Sequence, residues 1–397
     1  MARALALARL AWGRTSPNPA VGAVVVAGGR MVGEGHHRYA GAPHAEVEAL
    51  RAAGVRARGA TLYVTLEPCN HIGRTPPCCD AILASGISRI VIATQDPNPI
   101  TNGRGIARLR RAGLRVSVGT LTQEAQQLIE PFRKAMRLGL PLGIAKVGQS
   151  LDGKIATRTG ASCWITSPVS RRLAHQWRSR VDAILVGINT ILQDDPRLTV
   201  RGVPQQRPGH PIKVVVDSHL RIPLTARCLS ARSPAPSIIA TTVQGGVKQA
   251  ALARRGVEVL TLPPRAGRVP LRTLFRILAR RGVHSVLIEG GGEVLAGALT
   301  ERLVDRIAWW IAPRLIGGRT TPSSVGGAGI SRLAQAIRLA EPTMSRVGPD
   351  FYIEARVVYP KDGAWSTGHG ARKGKSRKSF WSSTTPHPSP LAPRLSR

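Results

Sequence analysis

The chain has 397 residues, too many for one ordinary core, and its 43% hydrophobic content suits a folded protein and excludes a disordered one. The formal net charge of +35 would point to nucleic acid or a membrane surface, but of the 57 basic residues only nine are lysine, and the arginines run along the whole chain. A dedicated polyanion surface is a local patch that mixes Lys with Arg, so the charge reads as compositional background and a nucleic-acid partner is not expected.

The first segment, MARALALARLAWGR, is arginine-rich and free of acids. A transit peptide shares that character. An amphipathic helix closing at Gly13, with Leu7, Leu10 and Ala11 inward, is the reading adopted. The apolar run AVGAVVVAGG (20–29) is far shorter than the roughly 20 residues that span a bilayer, and reads as a strand ending in a Gly-Gly turn. No membrane segment is expected. HAEVEALRAAG (44–54) is a helix closed by Gly54, and TLYVTLEP (61–68) alternates like a strand. PPCCDAILASG (76–86) opens with prolines where a helix tolerates them. Strand, helix and strand follow at 89–94, 105–113 and 114–119, and 131–141 is a last helix with a linker. The pattern is a layered α/β domain.

A second α/β series starts at 143. Strands are expected at 143–148, 183–187, 213–218, 237–242, 257–262, 285–289 and 306–313, helices at 167–181 and 270–282, and a final strand at 351–360. Residues 361–397 lose periodicity, carry eight basic residues against one acid, and read as a solvated, disordered tail.

Five cysteines (69, 78, 79, 163, 228) are an odd number, and three fall within eleven residues. That is no secreted disulfide framework; it fits reduced thiols in a cytoplasmic metal site. Hydrolytic deamination of an aminopyrimidine needs a nucleophile that is potent at neutral pH and a proton shuttle. Zinc on one imidazole and two thiolates leaves a position for water and lowers its pKa towards about 7, while a carboxylate that is not a ligand moves the proton. The zinc-deaminase signature is H-x-E followed by P-C-x-x-C. Here His44-Ala45-Glu46 precedes Pro68-Cys69, and the second cysteine comes late, as C-x8-C to Cys78. On a helix Cys79 points about 100° away from Cys78, so the two are not expected to share one metal, and Cys78, which stands first after Pro77 in the opening turn, is taken as the ligand. The competing reading is a closed structural zinc knot, for which His71 is the local candidate for a fourth ligand.

PNPAVG (17–22), HAEVEAL (44–50), TLEPCNHIGRTPPCCDAI (65–82) and QDPNP (95–99) together resemble the bifunctional deaminase–reductase of bacterial riboflavin biosynthesis. The long PC-x8-C insertion with GRTPPC separates that family from other base deaminases. The similarity continues through KVGQSLDGKIA (146–156), CWITS (163–167), DDPRLTVR (194–201), VVVDS (214–218), IEGGGEVLAGAL (288–299) and APRLIGG (312–318).

The resemblance implies a cytidine-deaminase-like three-layer α/β/α domain at 1–142, a dihydrofolate-reductase-like α/β domain at 143–360, and the tail 361–397 outside both. It implies zinc on His44, Cys69 and Cys78, with Glu46 as proton carrier. NADPH would meet Gly148, Trp164, Thr190, Asp194, Ser218 and the segment Gly291, Gly292, Glu293, Val294, Leu295, Ala296 and Gly297. Ser162, Arg178, Leu198, Arg201 and Glu289 match substrate positions. Arg178 and Arg201 suit a phosphate, which a guanidinium grips through two parallel hydrogen bonds. Glycines 290–292 let a pyrophosphate approach the start of a helix, or simply form a tight strand-to-helix turn. Asp194 either positions the sugar near the hydride or caps the turn before Pro196, and Trp164 is either core or cofactor wall. A phosphorylated pyrimidine is the expected substrate, and a cytoplasmic homo-oligomer the expected form. Two alternatives stand beside this reading: a deaminase with a silent reductase half, and an RNA-binding or RNA-editing protein. Aromatics are only 4% of the chain, which leaves little surface for base stacking and argues against the latter.

Overall fold

The computed structural model describes residues 1–207, 209–230 and 235–360; the tail expected at 361–397 lies outside the described residues. The chain opens with α1 (Ala2–Ala11), which turns Ala4, Leu5, Leu7, Ala8 and Ala11 inward. Leu10, expected on the inner side, is 56% exposed. At 100° per residue it lies about 130° from the stripe through Ala4, Ala8 and Ala11.

The first sheet comprises β1 (Gly22–Ala27), β2 (Arg30–His36), β3 (Thr61–Val64), β4 (Arg89–Ile92) and β5 (Arg115–Val118), in the order β2-β1-β3-β4-β5. β1 is antiparallel to β2 and β3, and β3, β4 and β5 run parallel. Five helices accompany it: α1 again, α2 (Ala45–Ala53), α3 (Cys78–Ala84), α4 (Arg104–Arg111) and α5 (Thr122–Leu128), with α6 (Glu130–Leu138) leading out. Val25, Leu62, Ile90 and Ile92 pack against Ala49, Ile82 and Leu109 on one face. On the other, Ala4 and Leu7 cover Val24, and Leu5 meets Ala93 and Ala125. The three layers are therefore those the sequence implies. β2 is an addition. Its glycines hide it from a periodicity reading, yet a Cβ on Gly33 would stand 2.3 Å from the Ala49 carbonyl oxygen, so α2 lies directly on the strand. β3 stops at Val64, short of the expected Pro68, which frees residues 65–77 to form the loop before α3.

The second sheet has nine strands: β6 (Leu142–Ser150), β7 (Ala183–Gly187), β8 (Ile212–Val216), β9 (Ser237–Thr241), β10 (Glu258–Thr261), β11 (Ser285–Glu289), β12 (Arg306–Ala312), β13 (Arg338–Val347) and β14 (Asp350–Val358). Their order is β10-β9-β8-β7-β11-β6-β12-β14-β13. The first seven in that order are parallel, and β14 and β13 add antiparallel strands at one edge. Central strands are buried on both faces, as parallel strands are. Ala145, Leu185, Val214 and Ile288 point to the side of α10 (Leu271–Arg280) and α11 (Gly292–Thr300). Ile144, Ile184, Val215 and Leu287 point to that of α7 (Pro168–Arg178), α8 (Ile188–Asp194) and α9 (Val247–Arg254). β13, α5, α8 and α9 lack a sequence signal: β13 is almost wholly exposed, and the three helices are short.

Residues 1–360 form one compact unit. Lys134 and Glu130 on α6 pair with Asp305 and Arg306, each at 2.5 Å, and Trp12 meets Trp177 edge-on at 5.9 Å. No helix of the described residues is long and apolar enough to cross a membrane.

Candidate active sites

Three segments of the first half converge on one point. His44 is the N-cap of α2, Glu46 lies in that helix's first turn, Cys69 sits in the loop after β3, and Cys78 is the first residue of α3, behind Pro77. His44 Nδ1 lies 3.0 Å from Cys78 Sγ and 3.6 Å from Cys69 Sγ, and all three donor atoms fall within 4.8 Å of one another. Zn–N and Zn–S bonds of about 2.0 and 2.3 Å at tetrahedral angles require N···S separations of about 3.5 Å, so the donor set fits zinc once the His44–Cys78 distance widens slightly. Hydrogen bonds involving the Cys78 thiol, His44 and the Cys78 amide outweigh burial and hold the Cys69 thiol at about 4, in its thiolate form.

Cys79 faces elsewhere. Its thiol is directed at the carbonyls of Pro68 and Gly105, and burial pushes it up to about 12. His71 stays out of the cluster and lies 3.4 Å from the Thr101 hydroxyl. Among the described residues the donors number three, which leaves an open fourth position. Glu46 is 4% exposed, and burial lifts its carboxyl to about 6. A cavity of about 240 Å³ opens onto these groups, lined also by Asn18, His37, Arg74, Asp96 and Phe132.

Glu67, which sequence reasoning passed over, organises the metal loop. Its carboxylate accepts hydrogen bonds from four backbone amides: Asp96 at 3.1 Å, Gly103 at 3.0 Å, Gly105 at 3.1 Å and Ile106 at 3.2 Å. The signal available was an acid inside an apolar strand, one residue before Pro-Cys. A Cβ on Gly105 would stand 2.1 Å from the Pro68 carbonyl oxygen, so α4 meets the ligand loop through bare backbone. Asn70 accepts from Arg108, which also pairs with Asp80.

In the second half the implied positions gather at the C-terminal ends of β6, β7, β8 and β11, where open α/β sheets bind ligands. Gly290 and Gly291 adopt φ of +76° and +78°, and a Cβ on Gly290 would lie 3.1 Å from the Thr190 hydroxyl. α11 begins at Gly292, so the glycine turn and the helix start are both present. Gly148 lies against Thr166 on β6, and Val294 packs on Gly187. The Ser162 hydroxyl donates to Asp194, the last residue of α8. Ser218 accepts from the Val269 amide. Leu198 is buried, with φ of +52°. Trp164 is 64% exposed with the Arg171 guanidinium 4.4 Å from its ring centre, which removes the core reading.

Arg178 departs from expectation. Its Nε and Nη2 both donate to Glu289 at 2.6 Å and its Nη1 to the Thr199 carbonyl, so the fork expected to grip a phosphate is closed on a carboxylate. The backbone amide of neighbouring Arg201 donates to His175 Nδ1. Lys146, also missed, is half-buried beside the pair; desolvation lowers its pKa, and the Glu289 charge opposes that.

A histidine–dithiolate centre with a buried non-ligand carboxylate, fused to a parallel sheet with a glycine-turn cradle, defines a zinc-type nucleobase deaminase joined to a nucleotide-dependent reductase. Two family models match, the cytidine and deoxycytidylate deaminase zinc-binding region over residues 1–94 and the RibD C-terminal domain over residues 141–353. The riboflavin biosynthesis protein RibD of Aquifex aeolicus is 44% identical over 353 residues, 89% of this chain and 96% of that protein. Its Escherichia coli counterpart is 43% identical over 366 residues, 88% and 96% of the two chains. The Acinetobacter baumannii RibD structure (form 1) superposes with a TM-score of 0.81 at 35% identity, covering 90% of this chain and 97% of that one. A diaminohydroxyphosphoribosylaminopyrimidine deaminase/5-amino-6-(5-phosphoribosylamino)uracil reductase from Thermotoga maritima gives 0.78 at 34%, with the same coverage. The chain belongs to the RibD family, the bifunctional deaminase/reductases of riboflavin biosynthesis, whose cofactors are zinc and NADPH.

Proposed function

We propose that residues 1–142 deaminate 2,5-diamino-6-ribosylamino-4(3H)-pyrimidinone 5′-phosphate and that residues 143–360 reduce the ribosyl group of the product to ribityl with NADPH, giving 5-amino-6-ribitylamino-uracil 5′-phosphate. The observation that carries this is the convergence of His44, Cys69 and Cys78 within 4.8 Å, with Glu46 buried two residues from the imidazole. Those three side chains hold zinc, which when bound makes water a competent nucleophile near neutral pH. Glu46 carries one proton of the attacking water to the ring nitrogen and the second, from the hydroxyl of the addition product, to the departing amine, which leaves as ammonia as the carbonyl forms. A carboxyl held near 6 is matched to both halves of that transfer.

In the reductase half the dinucleotide runs along Gly148, Trp164, Thr190, Asp194, Ser218 and Gly291–Gly297, and the sugar phosphate meets Ser162, Leu198, Arg201 and the Arg178–Glu289 pair. The closed fork on Arg178 supports a role in fixing Glu289 towards the sugar, with Arg201 left to the phosphate. Cytoplasmic location and homo-oligomerisation belong to this reading. The described cysteines, all free, support the first, and light scattering checks the second.

One sample assayed for zinc content, ammonia release and NADPH oxidation tests the whole. The expected result is about one zinc per chain and both activities. Ammonia without NADPH oxidation would leave only the deaminase, and deamination retained in zinc-free protein would overturn the role given to His44, Cys69 and Cys78.

A further inference from the structure

β10 is followed by a tight hairpin that the reductase reading leaves unused. Arg265 and Arg268 exchange both backbone hydrogen bonds across the two-residue turn Ala266-Gly267, whose φ angles of +50° and +70° are those of a type I′ turn. Directly opposed residues project side chains to the same face, so two arginine side chains leave the hairpin on one side. Like charges so placed destabilise a hairpin unless an anion lies between or beside them. Among the described residues the Arg265 guanidinium has no hydrogen-bond or ion-pair partner. Arg268 reaches Glu293 at 3.3 Å across a largely exposed gap.

The hairpin is held in place. Val269, 4% exposed, is sunk in the core, and its amide donates to the Ser218 hydroxyl at 3.1 Å. The arginine pair therefore stands beside Ser218, at the end of β8, and Arg268 also touches the first turn of α11. In the strand order β8-β7-β11, a pyrophosphate on the Gly291 turn and Thr190 puts the attached adenosine at β8. We infer that Arg265 and Arg268 form the clamp for the 2′-phosphate of the dinucleotide and so make the enzyme select NADPH over NADH. The inference rests on the cofactor placement proposed above. Glu293 sharpens it: with Arg268 removed, its carboxylate keeps, among the described residues, only the Gly327 amide at 2.9 Å and no cation, repelling a 2′-phosphate and accepting a 2′-hydroxyl.

The test is titration of the full chain with NADPH and with NADH, followed by the quenching of intrinsic fluorescence, with melting curves as the check on folding. Arg268→Ala is expected to weaken NADPH roughly 10- to 100-fold, the range of a charge-assisted contact, while NADH changes less than about twofold. Arg265→Ala is expected to act in the same direction, and Arg268→Ala/Glu293→Gln to recover part of the loss. Equal weakening of both nucleotides, or unchanged NADPH binding in the Arg265→Ala/Arg268→Ala double variant, would overturn the clamp. Thr190→Tyr separates the two levels of the argument. Filling the cradle beside Gly290 abolishes binding of both nucleotides if the cofactor lies there, and if it alters neither, the placement itself is wrong.

Discussion

Replacing Glu289 by glutamine removes one charge from a buried cluster and leaves its shape in place. Glu289 and Arg178 have side chains only 7% and 13% exposed and are joined by two hydrogen bonds of 2.6 Å, with Lys146 alongside. Burial alone would raise the Glu289 carboxyl; the Arg178 charge and hydrogen bonds, aided by Lys146, reverse this and hold it at about 2. A fall from 4.5 to about 2 on folding corresponds to about 3 kcal/mol of stability at pH 7. Because the folded value is the lower one, that contribution is complete above pH 4.5 and drains away as the pH falls from there towards 2. Glu289→Gln is therefore expected to unfold in urea with about 3 kcal/mol less free energy at pH 7, within the range for breaking a buried pair. The gap to wild type narrows below pH 4.5. Trp177 and Trp310 lie in the adjoining core and supply the fluorescence signal. Adding Arg178→Met to Glu289→Gln costs much less than the two single changes added together, since the second change removes a cation already left without its partner. A loss below about 1 kcal/mol, the worth of an exposed pair, or a gap that stays constant from pH 7 to pH 3, would refute the reasoning.

The other predictions concern the metal centre. Cys78→Ser is expected to bring zinc, measured by mass spectrometry of the purified protein, well below one per chain, whereas Cys79→Ala keeps the metal and costs only about 1–2 kcal/mol of packing. Glu46→Gln is expected to retain zinc and lose about 10²- to 10⁴-fold in ammonia release, with reduction of the deaminated pyrimidine unaffected. Gly105→Ala drives a methyl group into the Pro68 carbonyl and should displace Cys69; a competing chelator is expected to strip its zinc at least 10-fold more readily than from wild type. Glu67→Gln weakens four amide contacts and should move zinc retention in the same direction, less steeply.

The metal centre was the most legible part of the chain, because zinc chemistry restricts residue type and spacing at once. H-x-E on a helix start, P-C after a strand and a cysteine opening the next helix left few arrangements; helix geometry excluded Cys78 and Cys79 acting together, and the place of Cys78 directly after Pro77 decided between them. The parallel strands were legible as short apolar runs such as AILVG and SVLIE, buried on both faces. What stayed hidden owes its form to contacts across the fold. β2 is thinned by glycines that α2 requires, β13 exposes most of its side chains at an edge, and Glu67 has its partners 29 to 39 residues away. The closure of Arg178 on Glu289 joins positions 111 residues apart, and no local pattern announces it.

The seam between the halves has a consequence for how the enzyme handles its intermediate. Asp305 takes both the Lys134 ammonium and the Gly143 amide, and Arg306 takes Glu130, so α6, β6 and β12 are stitched together where the two sheets succeed one another. A connection tied at three points resists hinge bending, which works against one half swinging its product into the other. Diffusion is then the route that the seam favours for the deaminated pyrimidine. For the same reason a gene cut at this point would strand Asp305 and Glu130 without their cations, so the halves are better inherited, expressed and engineered as a single piece.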